Sequence, residues 1–229
     1  MSALWWIAVT VLIYAATRIA WNRTRLAILN PAIVSIAAVM IILLATHTPY
    51  AQYERGGRFI SFWLGPAVVA LGLPLAQQLD RVRRNFPAIS IALLAGAVTG
   101  ISVAVTVAWA LGAPPVIVRS LAPRSATTPI AIAVTTRLGG LPALSAVVSI
   151  VSGALGGFAG VGLLRLAGVR SRLATGLALG AAAHGLGTAR AADEGDVEGG
   201  ASGLAMGVMG ILTALLAPVI LALMLRIAR

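Results

Sequence analysis

Long apolar stretches cover almost the whole chain, at about 3–17, 29–46, 59–79, 87–111, 117–138, 141–166, 173–190 and 201–226. Runs of about 17–25 apolar residues are what a helix needs to cross a hydrocarbon core about 30 Å thick. Lipid offers no partner for backbone N–H and C=O groups, so only helices and closed barrels span it. A barrel is built from short alternating strands and leaves no continuous apolar runs. The expected fold is therefore an all-α polytopic integral membrane protein with seven or eight transmembrane segments, forming a single transmembrane domain over 1–229. Composition agrees: 59% of the residues are hydrophobic and 10% charged, with a mean hydropathy of +0.98, whereas soluble domains are about 25% charged. No basic residue precedes "LWWIAVTVLIYAA" and no small-residue cleavage site follows it, so this stretch reads as a first transmembrane helix, not a signal peptide. Trp5 and Trp6 are expected in the interfacial aromatic belt.

The net charge of +11 comes from 17 basic residues, all arginine. They stand singly or in small groups between apolar runs, the distribution of cytoplasmic loops and not of a nucleic-acid surface. The groups Arg18, Arg23, Arg25 and Arg81, Arg83, Arg84 are separated by two apolar runs and agree on a cytoplasmic side, with "HTPYAQYERGGR" as a loop between them. If 117–138 crosses the membrane, Arg165, Arg170 and Arg172 fall outside, against the positive-inside rule. If it dips in and returns, they become cytoplasmic, and the acidic loop "DEGDVEGG" falls outside. The charge pattern favours a re-entrant or broken segment. With no cysteine, disulfides and thiolate metal sites are excluded.

Two apolar stretches contain polar interruptions. "RSATTPIA", residues 124–131, holds three hydroxyls, an arginine and a helix-breaking proline; "AAAHGLGTARAADEG", residues 181–195, holds His184, three glycines, Thr188 and Arg190. A proline kink repaired by threonine hydroxyls is one reading of the first. Its recurrence suggests another. Each interrupted segment is followed by a glycine-rich apolar helix, a weak internal repeat, and paired interruptions of this kind mark the binding site of many transporters. Broken helices present backbone N–H groups at the positive end of a dipole. Threonine hydroxyls at 127, 128 and 188 and the guanidinium of Arg190 add donors for a carboxylate, and no acidic residue lies within the core of a run. Such a site suits small organic anions, with His184 as ligand or proton carrier. Alternatively His184 bonds across a helix pair, Arg190 snorkels beside the acidic loop, and Arg124 is an interfacial anchor. Gly65-Pro66 marks a third break, more simply a kink. The glycines of 151–163 permit close packing, in a homo-oligomer or within one chain.

"GASG" at 200–203 and "AHGLG" at 183–187 imitate the serine and histidine motifs of rhomboid proteases, which would need Ser202 and His184 as nucleophile and base. The order is reversed relative to those enzymes, and a short acidic loop separates the two. No second histidine accompanies His184 and the clustered acidic residues lack ligand spacing, so no metal, cofactor or enzymatic activity is expected.

Taken in order, "LAILNPAIVSI", "FWLGPAVVALGLPL", "APRSATTPIA", "GLALGAAAHGLGTARA" and "GLAMGVMGILTALLAP" resemble the LrgB/CidB family across nearly the whole chain. The resemblance implies a multi-pass protein of the bacterial plasma membrane and two functions. One is secondary transport of small monocarboxylates, of the glycolate, glycerate, lactate or pyruvate type, as in the homologous region of the plastid glycolate/glycerate translocator. The other is antiholin-like regulation of murein hydrolase export with a small LrgA/CidA-type membrane partner. The family's polar segments correspond to Thr127, Thr128, Pro129, His184, Gly185, Gly187, Thr188 and Arg190, the expected substrate-binding residues. Many relatives carry lysine where Arg124 stands, and an acidic residue where this chain has Ile132 and Ala133, which puts any carboxylate-based cation coupling in doubt.

Overall fold

The computed structural model describes residues 2–24, 31–63, 66 and 79–227. The described elements are helices throughout, in two compact units, 1–70 and 71–229. The expected run 59–79 and the Gly65-Pro66 break lie largely outside the described residues.

In the first unit, α1 (Ala3–Thr24) packs on α2 (Pro31–Ala45) and α3 (Tyr50–Phe62). Thr17 meets Ser35 of α2 at 2.9 Å between hydroxyls. The close approach of α3 depends on Gly56, where a Cβ would stand 2.6 Å from the Ala3 carbonyl. Trp6 is wholly buried against the edge of Tyr53, with ring centroids 5.7 Å apart, while Trp5 stays exposed. The two tryptophans thus do not act alike as an aromatic belt. Most of the stretch expected as a loop, "HTPYAQYERGGR", is helical, from Tyr50 on, because the polar and apolar residues of α3 segregate to opposite sides of the helix.

The second unit is organised by α5 (Phe86–Ala110), which follows the short α4 (Leu79–Arg84), and by α8 (Pro142–Leu166) and α10 (Asp196–Ile227). With α1, these are the described helices long and apolar enough to cross a membrane, four where the sequence led us to expect seven or eight spans. Of the other four expected runs, 29–46 holds the shorter α2, 59–79 lies largely outside the described residues, and neither 117–138 nor 173–190 forms one straight helix. Of these last two, the first is divided into α6 (Pro115–Leu121) and α7 (Thr128–Leu138) around Pro123 and Thr127, because a proline ends one helix and another opens the next. The halves fold back on each other: the Leu141 N–H donates to Ser120 Oγ at 2.7 Å, and Val118 and Val134 share one core. Gly139, left-handed at φ 70°, caps α7 and turns the chain into α8.

The second, α9 (Arg172–Glu194), is interrupted at His184, whose φ of 38° and ψ of −124° no helix accommodates. Beyond it the chain returns beside its own first half. Gly187 packs against the Leu179 carbonyl, Gly180 and Thr188 both meet Ser202, and Arg172 at the start lies beside Gly195 at the end. A straight helix would hold Arg172 and Gly195 over 30 Å apart, at about 1.5 Å per residue. α9 is thus a helical hairpin with its tip at His184.

Each hairpin is followed by a long helix, and the two repeats run in opposite directions. α5 and α10 pack in parallel: Ile89, Leu93 and Ala97 meet Ala205 and Met209, and Val105 and Ala108 share a core with Ala217 and Leu221. α8 runs the other way, since its C-terminal Arg165 reaches Glu194, two residues before α10 begins. Because α9 returns, the acidic residues sit with Arg165 and Arg172, not on the opposite side as the charge pattern suggested. Arg172 grips the buried Glu198 carboxylate with two bonds, 2.7 and 2.9 Å.

Candidate functional site

The tips of the two hairpins meet. Pro123 and Pro129 bracket a short non-helical stretch carrying Arg124, Ser125, Ala126 and Thr127. Ser125 lies over Gly100 of α5, where a Cβ would come within 3.1 Å of its hydroxyl. The Arg124 guanidinium turns to α8 and donates from Nη1 to Ser152 Oγ at 3.2 Å. The imidazole of His184 faces the Arg124 backbone. It rests on Gly153, where a Cβ would stand 2.8 Å from Cε1. Glycine is required there because the ring occupies the volume any side chain would fill. His184 is buried and its Nε2 has no hydrogen-bond partner.

The start of α7 completes the arrangement. Thr127 occupies the N-cap without spending its hydroxyl on the helix, although an N-cap threonine commonly does. The first-turn N–H groups of a helix have no intrahelical acceptor and sit at the positive end of its dipole. α7 and α8 run antiparallel across the 139–141 turn, which brings Thr128 to the level of Ser152. Thr127 and Thr128 are half-buried, and Pro129 is exposed. A guanidinium, an imidazole nitrogen, several hydroxyls and a helix N-terminus therefore converge with no carboxylate among them. That set can hold a small anion and discriminates against cations.

The other expected residues divide. Thr188 is buried and shares a 3.0 Å hydrogen bond with Ser202 Oγ, so it joins α9 to α10. Ser202 is thereby paired with a threonine and not with His184. Gly187 is structural: a Cβ there would collide with Ala183 at 2.6 Å, inside the hairpin. Gly185 is exposed beside the tip, with nothing near the space its Cβ would take. Arg190 lies six residues past the tip and pairs with Glu194 one turn further on, a carboxylate that Arg165 also reaches at 2.9 Å. The geometry brings Arg124, expected as an anchor, to the meeting point and directs Arg190 away from it. Ser152 and Gly153 are the residues the sequence did not single out. Their only signal was their place in the small-residue run of α8.

The LrgB-like family model matches residues 10–223. Proteins named "Antiholin-like protein LrgB" from Bacillus mycoides, Bacillus cereus and Bacillus anthracis are 31% identical over 189 residues, covering 82% of this chain and 82% of each relative. No solved structure matches.

Proposed function

The chain belongs to the LrgB-like family, and from that premise we propose that it is a carrier of small monocarboxylates in a bacterial plasma membrane. The observation that carries this reading is the convergence of two back-folded hairpin tips on Arg124, Ser152 and the unpartnered Nε2 of His184. The first arm of the α9 hairpin is about half a span: twelve residues, 172–183, rise about 18 Å. In the bilayer the two hairpins are re-entrant, entering from opposite faces and meeting near the midplane, the pattern of transporters built from inverted repeats. Irregular backbone at that depth is tolerated where protein buries it or it lines a cavity. The carboxylate lies between the Arg124 guanidinium and the first-turn N–H groups of α7, with the hydroxyls of Thr127 and Thr128 alongside. His184 Nε2 takes the second polar group of a 2-hydroxy or 2-oxo acid, or carries the coupled proton. Arg190, paired with Glu194 on its own arm of α9, is not a direct ligand.

A ligand that binds the folded state raises its melting temperature. Glycolate, lactate or pyruvate should therefore stabilise the purified protein in detergent, and Arg124→Gln should abolish that shift while Arg190→Gln retains it. Equal shifts in wild type and Arg124→Gln would refute the assignment of Arg124.

The relatives' name favours a second reading, antiholin-like regulation of murein hydrolase export with an LrgA/CidA-type partner. The two separate cleanly: regulation without transport would depend on the partner and survive Arg124→Gln, Thr128→Val and His184→Gly.

A further inference from the structure

The inward face of α8 presents Ser145, Ser149 and Gly153 at four-residue spacing. Ser145 and Ser149 are wholly buried, and neither hydroxyl has a hydrogen-bond partner; Thr135 of the facing α7 is in the same condition. Thr135 and Ser145 each stand four residues from the 139–141 turn, so they lie at one level. Ser149 is a turn deeper, and Ser152, which receives Arg124, lies just beyond it. Buried hydroxyls normally find a partner, and in helices the carbonyl four residues back is the ready one. Ser120 and Thr136, close by, use it. The two unpartnered serines therefore step along one face of α8 from the 139–141 end toward Gly153, on which the His184 imidazole rests, and Thr135 of the helix packed against it stands at the level of the first. At the outer end Arg119 stands 3.5 Å from the space a Gly139 Cβ would fill, and Arg137 in the last turn of α7 is exposed.

We propose that the α7–α8 seam is a hydrated access path by which water and a small anion reach the site between the tips from the 139–141 end. The seam hydroxyls exchange hydrogen bonds with the water file, and Arg119 and Arg137 concentrate anions at its mouth, as like-signed charges lining a cleft do. What passes rests on the carrier reading; the hydration of the seam does not.

The chain has no cysteine, so single Ser145→Cys and Ser149→Cys variants in proteoliposomes can be probed with a membrane-impermeant, sulfonate-bearing methanethiosulfonate. Val147→Cys, on the exposed face of the same helix, is the reference. Both seam cysteines should react about tenfold faster than Val147→Cys, and faster with the sulfonate reagent than with its trimethylammonium analogue, following the sign of the mouth. Labelling of Ser149→Cys no faster than Val147→Cys overturns the path. Should Ser149→Cys fail to insert, Thr135→Cys reads the same seam from the opposite helix. Labelling needs no transport: an active carrier with a silent seam defeats only the path, and a labelled but inactive protein defeats only the carrier.

Discussion

At the scale of single residues, His184 is the position where backbone and chemistry diverge. Its positive φ with a strongly negative ψ is a conformation that glycine adopts freely and other residues avoid, at a cost of about 1–3 kcal/mol. His184→Gly should therefore fold with a melting temperature at or above that of the wild type, while losing transport. His184→Ala should lose transport and stability together, since it gives up the imidazole's packing against Gly153 without the relief of strain that glycine brings. A His184→Gly protein that still transports would remove the imidazole from the mechanism. The neighbouring glycines separate in the same way. Gly185→Ala meets open space and should be neutral, whereas Gly187→Ala drives a methyl into Leu179 and Ala183. The latter should cost about 1–3 kcal/mol, the usual penalty of overpacking, read as a lowered melting temperature in detergent. The sequence marked both glycines as one motif, and only the fold tells a tip from a packing contact.

At the scale of elements, the α9 hairpin is held by glycines against α10 and by charge at its open end. Gly176 and Gly180 lie directly on the backbone at Glu198 and Ser202, the small-residue spacing that lets membrane helices approach closely. Arg172 closes the hairpin's base on Glu198, whose side chain is 8% exposed against 60% for the arginine. Removing the arginine strands a mostly buried carboxylate, while its own solvent exposure limits what the pair contributes. Arg172→Gln should therefore lower the melting temperature in detergent. Arg165→Gln should have little effect, because that guanidinium is 71% exposed and Glu194 keeps Arg190. A larger loss from Arg165→Gln than from Arg172→Gln would reverse this ranking. The apolar runs of α5, α8 and α10 were readable in the sequence because a continuous apolar stretch of that length has one outcome in lipid. The fold-back of α9 was not. Nothing local distinguishes a histidine inside a glycine-rich helix from one at a hairpin tip; the contacts that fix it are long-range.

At the scale of the whole molecule, the family and the helical membrane fold were legible from hydropathy and motif order, as were the two polar interruptions. Which arginine the proposed site would use was not. Arg190 sits in the more distinctive motif, yet it has Glu194 one turn away on its own helix, a pairing that sequence spacing allows but does not demand. Arg124 lacks such a neighbour and is delivered to Ser152 and His184 by the meeting of two hairpins from opposite repeats. The carrier reading holds that this meeting point moves carboxylates, and it is tested by uptake of labelled glycolate, lactate and pyruvate into proteoliposomes holding the protein alone under an imposed pH gradient. Saturable uptake of at least one acid, lost in Arg124→Gln and retained in Arg190→Gln, is the predicted result. No uptake of any of the three, or uptake untouched by Arg124→Gln, would contradict it.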